Sequence, residues 1–267
     1  MTDARAAQAS VGAGHASGAS PLPEALAQRQ VELAARLAEV RARLADAAAA
    51  AGRDPDELTL VAVTKTCPAT DVRLLAGLGV TDFGENRDQE AAPKAALVAA
   101  DPAAPPLRWH FIGQLQRNKC RSVVAYADLV QSVDRVPLAR ALAAAAGGLR
   151  DRPLDVLVQV SLDGVTGRGG ASVDSADPEY GFWPVIDAVL TQSDLRLAGV
   201  MAVAPLDQPA EPAFTRLAEI SAQVRAAVPG ASIMSAGMSG DLEAAIAAGA
   251  THVRVGSALL GNRPTLR

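Results

Sequence analysis

Cysteine, aromatic residues and positive charge are all scarce in this chain, and each scarcity removes a class of function. Only two cysteines, Cys67 and Cys120, occur in 267 residues. That is too few for a disulfide framework or a four-thiolate metal site, so a reducing cytoplasm is the expected setting. The formal net charge of −4 offers no broad positive field to a phosphate backbone, so nucleic acid is not expected as a partner. No apolar run reaches the roughly 18 residues that a membrane-spanning helix needs. The histidines His15, His110 and His252 lack metal-ligand spacing, and no metal is expected. Residues 1–22 are rich in Ala, Gly and Ser, without the basic start and continuous apolar run of an export signal, and read as a disordered tail. With aromatics at 3%, the core must rest on Ala, Val, Leu and Ile.

Hydrophobic residues at 49% and charged residues at 20% are the composition of a folded domain. Pro23 to Ala51 carries apolar residues at helical spacing, stopped by Gly52. Leu58 to Thr64 is a β-branched run, apolar on both faces as strands buried between helices are. Further candidate strands are Val80 to Phe83, Leu107 to Ile112, Asp128 to Ser132, Leu154 to Val160, Leu195 to Val203, Ser232 to Met234 and His252 to Val255, with Ala-rich helical stretches between them. Strand and helix thus alternate eight times, which predicts parallel strands joined by right-handed crossovers. A single (β/α)8 TIM barrel, typically about 250 residues, fits the span 23–267 as one domain. An open dinucleotide-binding sheet would need a Gly-rich turn after the first strand, where Lys65-Thr66-Cys67-Pro68 stands instead. The glycine cluster Gly164 to Gly170 follows the fifth strand and leads into loop, so it is a weak nucleotide motif.

Chemistry in such barrels sits at the C-terminal ends of the strands. The distinctive polar residues fall there: Lys65 after the first strand, Gly84-Glu85-Asn86 after the second, Gly113 to Lys119 after the third and Ser132-Val133-Asp134 after the fourth. Ser235 to Ser239 follow the seventh strand and Gly256-Ser257 the eighth. Lys65 is either a solvated strand-end lysine or a partly desolvated amine suited to a Schiff base. The last two loops occupy the usual phosphate position, where Ser235, Gly237, Ser239, Gly256 and Ser257 let backbone N–H groups approach an anion; plain helix capping is the competing reading. Arg254, flanked by Val253 and Val255, needs a buried partner, by default a carboxylate and otherwise a pyridine nitrogen. The basic run Arg117, Asn118, Lys119 and Arg121 reads as a solvated helix face before a site for a phosphate-bearing partner, Cys67 as a small filler, and His110 as a packing residue.

Taken in order, Thr64-Lys65, Phe83-Gly84-Glu85-Asn86 with Gln89-Glu90, Trp109-His110-Phe111-Ile112-Gly113 with Leu115-Gln116 and Asn118-Lys119, Gly237-Met238-Ser239, Asp241, and Arg254-Val255-Gly256 closely resemble the pyridoxal phosphate homeostasis protein family. The resemblance spans about residues 25 to 264. It implies a barrel like the N-terminal domain of alanine racemase that holds pyridoxal 5'-phosphate (PLP) as a Schiff base on Lys65. Asn86 would lie near the cofactor, Ser235, Ser239, Gly256 and Ser257 around its phosphate, and Arg254 by the pyridine nitrogen. The sequence departs from the family pattern at Arg168, where many members carry lysine, and in its longer N-terminal extension.

The family consists of cofactor carriers or regulators rather than fast catalysts. A two-base racemase needs a second proton-transfer group opposite its lysine, and the tyrosines here, Tyr126 and Tyr180, lie outside the strand-end motifs. The expectation is therefore a non-enzymatic, cytoplasmic, monomeric PLP carrier serving vitamin B6 homeostasis, with apo PLP-dependent enzymes as potential recipients. A PLP-dependent amino-acid racemase or decarboxylase is the alternative, and a barrel-shaped interaction scaffold the third reading.

Overall fold

The structure is a computed structural model that describes residues 23–102, 104–163, 169–206 and 208–261. The expected tail at 1–22, the domain's last residues 262–267, and Gly164 to Arg168 of the glycine cluster lie outside the described residues.

Among the described residues nine strands form one all-parallel sheet: β1 (Thr59–Val63), β2 (Asp82–Glu85), β3 (Arg108–Phe111), β4 (Leu129–Val133), β5 (Leu154–Ser161), β6 (Ala171–Ser172), β7 (Leu195–Met201), β8 (Ile233–Ser235) and β9 (His252–Val255). The two-residue β6 pairs only with β5 as a spur. The other eight close on themselves, because β4 pairs with β5 and β1 pairs with β9. The helices are α1 (Glu24–Ala50), α2 (Ala69–Gly77), α3 (Asp88–Ala99), α4 (Cys120–Tyr126), α5 (Val136–Gly147), α6 (Phe182–Leu190), α7 (Ala210–Ala227), α8 (Leu242–Ala247) and α9 (Ser257–Leu260). The eightfold alternation read from the sequence is thus a closed (β/α)8 barrel.

Its outer wall has an unequal last member, since α9 is only four residues long. The 27-residue α1 fills the gap. Its buried stripe, Leu33, Leu37, Val40 and Leu44, packs in one cluster with Val72 and Leu75 of α2, Ile246 of α8, and Leu259 and Leu260 of α9. At 3.6 residues per turn those positions form one face, which explains why an isolated-looking N-terminal helix is amphipathic. The Arg29 guanidinium donates to both oxygens of Asp71 on α2 and to the Leu260 carbonyl, and Arg53 donates to the carbonyls of Ile246 and Ala250, so α1 is tied near both of its ends.

Strand parity sorts side chains into two layers. Phe83, Trp109, Phe111, Val130, Val156, Val158, Val253 and Val255 face the helices. The lumen holds a small apolar group, Leu129, Leu157, Ala198 and Met201, beside the buried polar residues Asp82, His110, Gln131, Ser235 and Arg254. Lumens of this fold are normally filled with layers of Val, Ile and Leu, so this polar column is a departure that asks for a reason.

Several strand limits differ from expectation by a residue or two, and two of these differences matter for the site. β2 runs Asp82–Glu85 because Gly79, at φ 82°, ends the α2 turn and delays the strand past Val80. Glu85 therefore lies within the wall instead of in a loop. β8 extends to Ser235, whose Cα pairs with Met201, so Ser235 is a lumen residue and not part of the following loop.

Candidate functional site

A cavity of about 480 Å³ opens at the C-terminal mouth of the barrel, lined by Val63, Lys65, Ile112, Met238, Ser239, Gly240, Arg254, Gly256, Ser257 and Gly261. Five of the seven residues expected at the site are in this wall: Lys65, Ser239, Arg254, Gly256 and Ser257.

Lys65 follows β1 on the same parity as Val61 and Val63, which directs it to the mouth. A tight turn presents it: the Cys67 N–H donates to the Thr64 carbonyl at 3.0 Å, and Thr66 sits at φ 65°. A left-handed residue in the third position is the pattern of a type II turn, normally a glycine position, so a β-branched threonine there stores strain. The Thr66 N–H donates to Glu90 Oε2 at 3.0 Å, which helps hold the turn. Lys65 itself is exposed.

Beneath Lys65 lies a buried clamp that the sequence reading did not single out. Lys94 of α3 donates to Glu85 Oε1 at 2.6 Å and to the Thr64 carbonyl at 2.8 Å, while the Thr64 hydroxyl donates to the same Glu85 oxygen at 2.7 Å. Glu85 and Thr64 are fully buried and Lys94 nearly so. The residue before the candidate nucleophilic amine is therefore fixed through both its backbone and its side chain. Lysine within an Ala-rich helical stretch carried no local signal of this.

On the opposite rim, Ser239 and Ser257 bring the β8 and β9 loops together, their hydroxyls 3.4 Å apart. Gly237, at φ 86°, makes the first loop possible, and a Cβ there would come within 2.7 Å of Ala245 Cβ. Arg43 of α1 donates to the Ser239 carbonyl at 3.2 Å and pairs with Glu243, anchoring that loop from outside the barrel. Asp241 Oδ1 accepts the Met238 N–H at 2.6 Å and closes the turn.

Arg254 has no carboxylate within ion-pair distance among the described residues, against the default expectation. It donates to Ser235 Oγ at 2.7 Å and to the Ala202 carbonyl at 2.8 Å. Burial pushes its guanidinium down to about 10, with the distant Asp241 opposing. Ser235, expected beside the phosphate, is fully buried and absent from the cavity wall, and its hydroxyl donates to Gln131 Oε1 at 2.7 Å while receiving Arg254. Lying in the strand instead of the loop, it supports Arg254. His110 is likewise more than a packing residue, with Nε2 at 2.8 Å from Asp82 Oδ1 and Nδ1 at 2.8 Å from Gln131 Nε2.

Asn86 is half-buried at the end of β2 and outside the cavity wall. Its Oδ1 is buried without a hydrogen-bond partner among the described residues. Gly113 lies against it so closely that a Cβ would stand 2.1 Å from the Asn86 carbonyl oxygen. Cys67 and Cys120 are buried, and burial pushes the Cys120 thiol up to about 11. Arg117, Asn118 and Arg121 are exposed, as a solvated face should be, whereas Lys119 is half-buried with its Nζ 3.9 Å from Asp88 Oδ2. Neither Tyr126 nor Tyr180 reaches the cavity. No group of three metal-ligating side chains occurs among the described residues, and no described helix is long and apolar enough to cross a membrane.

These residues fit a phosphorylated pyridine aldehyde. One cavity holds an amine, a two-loop cradle of small residues with two hydroxyls, and a buried guanidinium with no carboxylate within ion-pair distance among the described residues. The unpaired Asn86 Oδ1 lies nearby as a polar group with capacity to spare.

The comparisons agree. Residues 16–264 match the family "alanine racemase, N-terminal domain". A pyridoxal phosphate homeostasis protein of Mycobacterium tuberculosis (strain ATCC 25618 / H37Rv) is 45% identical over 256 residues, covering 91% of this chain and 93% of the relative. The structure of PipY from Synechococcus elongatus PCC7942, solved with PLP bound, superposes with a TM-score of 0.71 at 32% identity, covering 86% of this chain and all of that one. Alanine racemase from Streptomyces coelicolor A3(2) shares the fold, with a TM-score of 0.66 at 20% identity, covering 90% of this chain and 59% of the racemase. On its matched residues and on these relatives, the chain belongs to the pyridoxal phosphate homeostasis protein family and has the barrel of the alanine racemase N-terminal domain.

Proposed function

We propose that the chain binds PLP at the barrel mouth, as a Schiff base on Lys65, and serves intracellular PLP homeostasis without being an enzyme. The observation that carries the reading is the placement of Lys65, Arg254 and the Ser239/Gly256/Ser257 cradle around one cavity. Ser239 and Ser257, with the backbone at Gly256, hold the phosphate; Arg254 faces the ring nitrogen; Asn86 offers its free oxygen at the side. Ser235 acts through Arg254. Bound PLP supplies an electrophilic carbonyl that condenses with amines and a ring that withdraws electrons when its nitrogen is protonated. A guanidinium in front of that nitrogen donates to it and opposes its protonation, which favours holding the cofactor over catalysis with it. Both tyrosines stand away from the cavity, so a racemase-type second base is not supported.

A reducing cytoplasm is consistent with two buried cysteines that form no disulfide, and a monomer that passes PLP to apo-enzymes belongs to the same proposal. Borohydride reduction of the PLP-loaded protein followed by peptide mapping should place the pyridoxyl group on Lys65, and Lys65→Ala should lose it. An adduct elsewhere, or none, sinks the assignment. The carrier role is tested separately, by incubating the loaded protein with amino acids in deuterated water: exchange at Cα at enzyme-like rates would overturn it.

A further inference from the structure

The polar column in the lumen forms a continuous hydrogen-bonded relay with one direction. Asp82 on β2, His110 on β3, Gln131 on β4, Ser235 on β8 and Arg254 on β9 are linked by four contacts of 2.7–2.8 Å, and all five are buried. Because β4 and β8 are separated in the ring by β5 and β7, the relay crosses the lumen.

Direction starts at Asp82. Burial acts to raise its carboxyl, but hydrogen bonds from His110 and Thr81 outweigh that and hold it below the usual range, so it is an acceptor. His110 Nε2–H then donates to Asp82, which leaves Nδ1 to accept from the Gln131 amide nitrogen. That fixes the Gln131 amide, turning Oε1 to the Ser235 hydroxyl proton. The Ser235 lone pairs face Arg254 Nη1 in consequence. With the amide reversed, the Ser235 proton would have no acceptor in the relay.

Such a network is a poor source of stability, since buried polar groups lose hydration that their hydrogen bonds only about restore. A lumen of aliphatic residues would serve folding as well. What the relay does provide is one fixed orientation for a buried guanidinium that has no carboxylate partner among the described residues. We propose that Gln131 and His110 are positioning residues: anchored on Asp82, they set the Ser235 hydroxyl, and through it the direction in which Arg254 donates into the cavity. For its effect on cofactor the proposal rests on the PLP reading above.

The test compares the PLP-loaded wild type with Ser235→Ala, Gln131→Met and Gln131→Glu. Absorption and circular dichroism are read in the cofactor band, PLP release is titrated, and far-ultraviolet circular dichroism reports folding. In the PLP-free proteins, nitrogen-15 spectra of the Arg254 guanidinium report its restricted rotation. Ser235→Ala and Gln131→Met should shift the band, weaken PLP retention roughly tenfold and free the guanidinium. Gln131→Glu keeps an acceptor toward Ser235 and should keep the wild-type band. A purely structural role would lower stability and leave the band unmoved. Folded Ser235→Ala and Gln131→Met with wild-type band, affinity and guanidinium rotation overturn the proposal, as does Gln131→Glu behaving like Gln131→Met. Should Gln131→Glu not fold, the other two variants decide on the same readings. A wild type that takes up no PLP while the guanidinium is freed in the variants removes the cofactor reading and leaves the positioning role standing.

Discussion

Replacing Lys94 by methionine tests whether the clamp beneath Lys65 is a true buried ion pair. Glu85 is fully buried, and its Oε2 has no partner among the described residues, so its charge depends on Lys94 at 2.6 Å and the Thr64 hydroxyl at 2.7 Å. Were this a surface pair, its loss would cost about 0–1 kcal/mol. For a buried pair, removing one partner strands the other charge in low dielectric and costs about 3–5 kcal/mol. For a domain of this size each kcal/mol lowers Tm by about 2–4 °C, so Lys94→Met should melt about 6–20 °C below wild type. Removing both charges, in Lys94→Met with Glu85→Met, should recover most of that loss, because the residual cost of the pair is desolvation that the double variant avoids. Denaturant unfolding followed by circular dichroism gives the three free energies, with unchanged slopes as the check on comparability. A loss below about 1 kcal/mol for the single variant, or a double variant no more stable than the single, would refute the reasoning.

Gly113→Ala places a Cβ 2.1 Å from the Asn86 carbonyl oxygen, a backbone atom that cannot step aside, and should cost about 1–3 kcal/mol, seen as a lower melting temperature; unchanged melting would show that the two loops part freely. His252 gives a pH dependence: burial pushes its imidazole from 6.5 down to about 4. Between those values the unfolded chain binds the proton and the folded one does not, so the stability from His252 is present above pH 6.5 and is lost as pH falls toward 4, by about 3 kcal/mol in all. Unfolding midpoints measured between pH 7 and pH 4 should fall less steeply in His252→Asn, whereas equal slopes would deny the depressed value. The Asp82 carboxyl, held below 3.8, acts only beneath that window.

The barrel was legible because parallel strands covered on both faces are apolar throughout and alternate with stretches of helical spacing, as β1 does with α2. Lys65 and the Ser239/Gly256/Ser257 cradle were legible because polar or small residues at strand ends are exceptions to that pattern. Ser235 was misplaced because one further residue of β8, settled by pairing with Met201, moves its side chain from loop to lumen. Lys94, Gln131 and Arg43 were missed for a common reason. Each acts through a partner far along the chain, respectively Thr64, Ser235 and Ser239. No local periodicity records such a partnership. His110 was seen but taken for packing, since a histidine next to tryptophan looks the same whether its ring nitrogens are paired or not.

Because the first strand pairs with the last, and the long first helix stands where the last wall helix would be, ring closure must wait for nearly the whole chain. At about 5–20 residues per second of synthesis, the interval between translation of β1 and of β9 is on the order of 10–40 s. For that time β1 has one edge without a neighbour, and the apolar stripe of α1 has only part of its eventual cover. A polypeptide stalled on the ribosome before β9 would expose an unsealed sheet border able to pair with other nascent chains.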